Sequence, residues 1–186
     1  MKPNYNKLEK NMTDVILEQQ IKLGYRRESV GLYYMLTSLN RILQTSYEEE
    51  QMQHTMEEFA VSVSERFGQV KVTHEKDRFR VTIPSQGSDY VHENQSENDF
   101  LVRFIAAISK HQCTLEDIKA VFVAYSPDIF VGKMEDNEDF DYLVYFKNGE
   151  PNDYRYCITF EGCHTIYHRF TPEDYVDFGF GEAVEV

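Results

Sequence analysis

Apolar positions along this chain recur with two periods, one near 3.6 residues and one of two, and the changes between them lay out its elements. Leu8, Met12, Val15, Ile16 and Leu23 fall at helical spacing, and Gly24 follows as a stop. Residues 29–43 begin extended, with Val30, Leu32, Tyr34 and Leu36 alternating, and end in a short helix begun near Thr37 or Ser38. Met52, Met56, Phe59, Ala60, Val63 and Phe67 predict one helix from Glu48 to Phe67, closed by Gly68. Glu48, Glu49 and Glu50 stand at its N-terminus, where the helix dipole favours them. Two strands follow, Gln69–Thr73 and Arg78–Ile83, joined by HEKD and stopped by Pro84. The stretch PSQGSDYVHENQSEN then reads as a polar loop and a candidate mobile segment, with a brief extended piece at Tyr90–Val91.

The second half starts with helices and turns to strands. Ser96 or Asn98 opens a helix through Phe100, Leu101, Phe104, Ile105 and Ile108. Thr114 and Asp117 form a variant capping box ahead of Ile118, Val121, Phe122 and Tyr125, and Pro127 blocks continuation. Strands are expected at Ile129–Lys133, at Phe140–Lys147 and in the run DYRYCITF-EG-CHTIYHRF. Thr171-Pro172 marks a last helix start, and the tail is expected to be loose beyond Phe180. Strands that neighbour one another in sequence imply antiparallel pairing. The fold class is therefore α+β, amphipathic helices packed on antiparallel sheet with a C-terminal β-meander. The reading is one domain over 1–186, with a weak boundary placed near 84–96.

The run around Glu161-Gly162 carries most of the versatile side chains. With those two residues as the loop, Phe160 faces Cys163, Thr159 faces His164, Cys157 faces Ile166 and Arg155 faces His168. Arg155, Cys157, Thr159, His164 and His168 then share one face, and Tyr154, Tyr156, Ile158, Phe160 and Tyr167 share the other. Tyr142 and Val144 join the Arg155 face if the NGEPND turn spans an even number of residues.

Charge changes the picture for partners. Residues 1–92 hold 12 Lys/Arg against 13 Asp/Glu, whereas residues 93–186 hold 7 against 19. Such an acidic half repels phosphate backbones, so nucleic acid is excluded as a general partner. It suits a basic protein or a cation, with Glu135, Asp136 and Glu138 as the partner-binding candidates, though solubility alone also accounts for the charge. No apolar run approaches the ~20 residues of a membrane-spanning helix. The start, MKPNYNKLEKN, lacks the apolar core of a secretory signal. Cys113, Cys157 and Cys163 are thus expected as free thiols in the cytoplasm.

The chemistry of the hairpin face is weighed against packing. On a strand, His164 and His168 lie ~13 Å apart at about 3.3 Å per residue, too far to share one zinc. No metal and no cofactor is expected. Cys157 has His164 as a diagonal neighbour, but nothing nearby supplies an oxyanion site, so a buried sheet cysteine is the better reading. The run MEDNEDFD lacks the glycine and distal glutamate of an EF-hand loop, which leaves Asp136, Asp139 and Asp141 as a weak cation site on a solvated turn. No dinucleotide, P-loop, zincin or nucleophile-elbow motif occurs.

Three stretches, IKLGYRRESVGLYYMLTSLN, DYLVYFKNGEPNDYRY and YCITFEGCHTIYHRFTPEDYVDFGF, together resemble a family of small uncharacterised bacterial proteins. It is a domain of unknown function from anaerobic Gram-positive bacteria. The resemblance covers nearly the whole chain. It implies a bacterial cytoplasmic protein and carries no activity, cofactor or catalytic residue. The expectation is a non-enzymatic acidic binding or regulatory protein with a protein partner. The alternative is a small-ligand-binding protein or enzyme that uses the Arg155/Cys157/Thr159/His164/His168 face, with Tyr142.

Overall fold

The computed structural model describes residues 2–97, 99–135 and 137–186. Among these residues the chain forms eight α-helices and two antiparallel sheets, of three and five strands, an α+β architecture. Two compact units emerge, 1–95 and 96–186.

In residues 1–95, α1 (Tyr5–Leu23) starts at Asn4, whose side chain accepts the Lys7 N–H at 3.1 Å. It buries Leu8, Met12, Ile16, Leu17 and Gln20. β1 (Val30–Met35) leads directly into α2 (Leu36–Leu43). The single helix expected over 48–67 is two, α3 (Glu49–Ser62) and α4 (Ser64–Phe67), with Val63 between them. Val63 is buried along with Phe59 and Phe67. The apolar spacing therefore runs through the break and conceals it.

β2 (Lys71–Glu75) and β3 (Arg78–Ile83) pair through to Glu75 and Arg78, so the turn is Lys76-Asp77 and not the whole of HEKD. The three strands lie in the order β1-β3-β2. Leu32, Phe79, Val81 and Ile83 occupy the buried face, and Tyr33, Arg78 and Arg80 the exposed one.

The stretch read as a polar loop is instead a helix, α5 (Ser85–Glu93). Its buried residues are Gly87, Ser88 and Val91. A Cβ on Gly87 would come within 2.4 Å of Ile83 Cγ2 and 2.9 Å of the Phe67 ring, so only glycine lets the helix lie this close. With glycine and serine beside a single valine, the buried face leaves no apolar stripe to read.

In residues 96–186, α6 (Phe100–Ile108) is capped by Asp99, whose Oδ1 accepts the Leu101 N–H at 2.8 Å. Ser96 is not the cap, and Asn98 lies outside the described residues. α7 (Leu115–Val123) has the expected capping box of Thr114 and Asp117. β4 (Ile129–Lys133), β5 (Tyr142–Phe146), β6 (Arg155–Glu161) and β7 (His164–Phe170) form the meander. α8 (Pro172–Phe178) follows the Thr171 cap. The tail is not loose beyond Phe180: β8 (Val184–Glu185) pairs with β4, and the Val186 N–H bonds to the Val131 carbonyl at 2.9 Å. The strand order is β7-β6-β5-β4-β8.

This sheet is covered on both sides. Val144, Phe146, Tyr156, Ile158 and Tyr167 share the face packed by α6 and α7. Phe104 sits 4.9 Å from both Tyr156 and Tyr167, and Phe122 4.8 Å from Phe146, ring centre to ring centre. On the opposite face, Leu143 and Cys157 cluster with Met134 and Phe140, against Phe130, Tyr145, Phe170, Tyr175, Phe180 and Ala183. Side chains from the C-terminal segment thus lie over the sheet, and a Cβ on Gly132 would meet the Ala183 methyl at 2.8 Å.

Candidate functional site

The β6–β7 hairpin turns on Gly162-Cys163, one residue later than the sequence reading placed it. Gly162 has φ +62°, the positive value a tight turn needs at its first central position. The partners are consequently shifted. Glu161 faces His164, Thr159 faces Ile166, Cys157 faces His168 and Arg155 faces Phe170. The expected pairs of Phe160 with Cys163, Thr159 with His164, Cys157 with Ile166 and Arg155 with His168 do not form. The shift is two residues in register, however, and a strand's side chains alternate with a period of two. Arg155, Cys157, Thr159, His164 and His168 therefore still share a face.

Tyr142 does not join them. Leu143 stands across from Cys157, and Tyr142 across from Ile158, so Tyr142 and Val144 belong to the face packed by α6 and α7. Tyr145 takes the place beside the hairpin residues, with the Arg155 guanidinium carbon 3.7 Å from its ring centre.

The five face residues occupy different environments. Cys157 is fully buried, and that burial pushes its thiol up to about 12. A thiol so disfavoured as thiolate is a poor nucleophile at neutral pH. Arg155 is half-buried and donates to the Asp153 carbonyl at 3.2 Å. Thr159 donates its hydroxyl to the Asp139 carbonyl at 2.7 Å. His168 is exposed at the rim, with its ring 5.6 Å from Phe140. His164 is exposed beside the turn. Among the described residues no three His, Cys, Asp or Glu side chains converge as a metal-binding set.

Tyr175 was not singled out from sequence. It is half-buried over this face and donates to the Gly181 carbonyl at 3.1 Å. Burial pushes its hydroxyl up to about 12, the neighbouring Cys157 adds to the rise, and Arg155 opposes it. The aromatic spacing of Tyr175, Phe178 and Phe180 was the available signal, obscured by Gly179, which interrupts it.

The acidic turn is organised by Asn137. Its Oδ1 accepts the N–H groups of Asp139 and Phe140 at 2.9 and 2.8 Å, and its Nδ2 donates to the Phe180 carbonyl at 3.0 Å. Asp141 accepts the Phe160 N–H at 2.7 Å. Glu135 and Glu138 are exposed, and Glu135 lies 3.7 Å from Lys133. Asp136 lies outside the described residues. The unit as a whole, residues 96–186, has 7 Lys/Arg against 18 Asp/Glu.

Residues 5–179 match the family described as a domain of unknown function, E. rectale gene description (DUF3877). The chain belongs to the DUF3877 family. No protein with a curated description matches it, and no solved structure does. The match spans both compact units of this DUF3877 member. Among its described residues no helix is long and apolar enough to cross a membrane.

Proposed function

We propose that this DUF3877 protein is a non-enzymatic binding protein that takes a basic protein partner on the acidic surface of residues 96–186. The observation that carries the reading is the Asn137–Phe180 hydrogen bond, which ties the acidic turn to the segment after α8. It joins the turn that carries Glu135, Glu138 and Asp139 to the segment after α8, whose sequence neighbours include Glu173, Asp177 and Glu182, and all six are exposed. Val176 and Phe178, 74% and 65% exposed, supply apolar ground among these carboxylates. A surface of this kind suits a partner with basic side chains around an apolar anchor. It repels a phosphate backbone, so nucleic acid is not the partner proposed.

Burial of Cys157 supports a packing role for the centre of the hairpin face. The free thiols fit a reducing compartment, and the cytoplasm of a bacterium, of the anaerobic Gram-positive kind, is part of the proposal.

The test is affinity capture from the host followed by binding kinetics on the identified partner. Association should slow steeply as salt rises, since exposed charges are screened beyond about 8 Å at physiological ionic strength. Replacing Glu135, Asp136 and Glu138 with Gln or Asn should slow the on-rate. An acidic partner, or an on-rate indifferent to salt and to the substitutions, would overturn the reading.

A further inference from the structure

The three free thiols of this chain stand in different places. Cys157 is fully buried in the sheet, on the face of Arg155. Cys113 is 6% exposed and belongs to the connection between α6 and α7. Cys163 is half-buried at the second position of the β6–β7 turn.

Two observations bring Cys113 and Cys163 together. The backbone N–H of Gln112, the residue before Cys113, donates to the Cys163 carbonyl at 3.1 Å. The helix connection is thereby laid against the hairpin turn. A backbone hydrogen bond sets two chains about 5 Å apart, a scale that matches the ~4.4–6.8 Å between the Cα atoms of a disulfide. Gln112 holds φ +61°, a left-handed backbone that side chains disfavour, and the bond to Cys163 fixes that bend.

The second observation comes from the side chains. The Thr165 hydroxyl lies within hydrogen-bonding reach of the Cys113 thiol. Thr165 pairs with Phe160, on the sheet face of Tyr156 and Tyr167 that α6 packs. Cys163 stands two residues before Thr165, the spacing that returns a side chain to the same face of a ribbon. Cys113 thus reaches the hairpin beside Cys163, whereas Cys157 lies on the other face of the sheet.

We propose that Cys113 and Cys163 are a reversible thiol pair that reduces a low-molecular-weight disulfide and closes into an internal one. Cys163 is the more exposed and reacts first. Its thiolate attacks one sulfur of the small disulfide, displaces the other as a thiolate and forms a mixed disulfide. The Cys113 thiolate then attacks Cys163 Sγ, expels the second small thiolate and closes the protein disulfide. One small disulfide becomes two small thiols, and the protons of Cys113 and Cys163 pass to them. Burial pushes the Cys113 thiol up, so its thiolate is scarce and the closing step is the slower one. The closed bond ties the α6–α7 connection to the β6–β7 hairpin. Disulfides that come and go in this way are the kind a reducing compartment permits. This chemistry does not depend on the acidic surface or its partner.

The experiment treats the full-length protein with glutathione disulfide at neutral pH. Samples are alkylated, digested without reduction and mapped by mass spectrometry over time. A glutathione adduct on Cys163 should appear first and give way to a peptide pair joined through Cys113 and Cys163, which dithiothreitol separates. Cys113→Ser should stop at the Cys163 adduct, with its lifetime lengthened roughly tenfold or more, because the resolving thiol is gone. Cys163→Ser should leave Cys113 unmodified. If Cys113→Ser does not fold, the wild-type time course and Cys163→Ser decide the matter. The oxidised protein should melt several degrees above the reduced one, since the bond closes a long loop. An adduct on Cys163 that persists in the wild type with no joined peptide would overturn the proposal. So would a joined peptide that contains Cys157, or a lower melting temperature on oxidation.

Discussion

The guanidinium of Arg155 stands over the ring of Tyr145, 3.7 Å from its centre, on the face of the five-stranded sheet that carries Cys157. Both side chains are half-buried, so the contact is partly shielded from water. Arg155→Ala should destabilise the fold by about 1 kcal/mol, and Arg155→Lys by less. A double-mutant cycle with Tyr145→Leu, read by denaturant unfolding, should return a coupling of about 0.5–1 kcal/mol. Strictly additive losses would mean the stacking carries no energy of its own.

Gly162 holds φ +62° with open space where a Cβ would go, so a side chain there meets strain and no clash. Gly162→Val should cost ~1 kcal/mol or more, because a β-branched residue resists positive φ. Gly162→Asn should cost less, since asparagine tolerates that region. Equal melting temperatures for the two variants would contradict the backbone explanation.

Phe180 touches Phe140 and Phe170, with ring centres 5.2 and 4.9 Å away, over the buried Cys157 cluster. Phe180→Ala should destabilise by about 2 kcal/mol, less than a fully buried ring would cost. It should also speed the reaction of Cys157 with a thiol reagent, measured by mass spectrometry of labelled peptides. In the wild type, half-buried Cys163 should label first and Cys157 only on unfolding.

Alkali should loosen the fold in a defined window. Burial raises the Cys157 thiol from its ordinary 9.0 to about 12, and Tyr5 and Tyr175 from 10.0 to about 12. Each group is held neutral in the folded state. Its contribution is complete below the unfolded value and is lost as pH climbs through the folded one. Unfolding free energy should therefore fall as pH rises from about 9 toward about 12, and Cys157→Ala should flatten the start of that fall. A decline unchanged by the substitution would place its origin elsewhere.

The histidines separate packing from chemistry. His168 lies by Phe140 and Phe170, whereas His164 is exposed beside the turn. His168→Ala should lower the melting temperature by a few degrees, on the order of 0.5–1 kcal/mol, and His164→Ala should leave it nearly unchanged. The reverse order would argue against the observed register.

These elements differ in how far sequence could reveal them. Thr114 with Asp117 and Thr171 with Pro172 announce helix starts through local chemistry, and both helices form there. The shared face of Arg155, Cys157, Thr159, His164 and His168 was legible because alternation survives a register shift of two. The partners were not, since either Glu161-Gly162 or Gly162-Cys163 can furnish the turn. Tyr142 fell to the wrong face because face assignment across the long 147–154 connection depends on a parity that sequence does not fix. α5 was hidden because Gly87 and Ser88 make up two of its three buried positions, leaving Val91 as the one apolar one. The burial of Gln20 depends on its bond to the Ser88 carbonyl, 68 positions away, which no local pattern announces.

β8 has a consequence for how this molecule keeps to itself. β4 without it would be the edge of a four-stranded sheet, with its backbone open at Val131, Gly132 and Lys133. Bare edges of that kind invite a strand from another copy and so begin aggregation. Here a two-residue strand takes the outer position, and its Glu185 is tied to Lys147 at 2.7 Å. A neighbouring chain finds a short, charged margin with little to pair against.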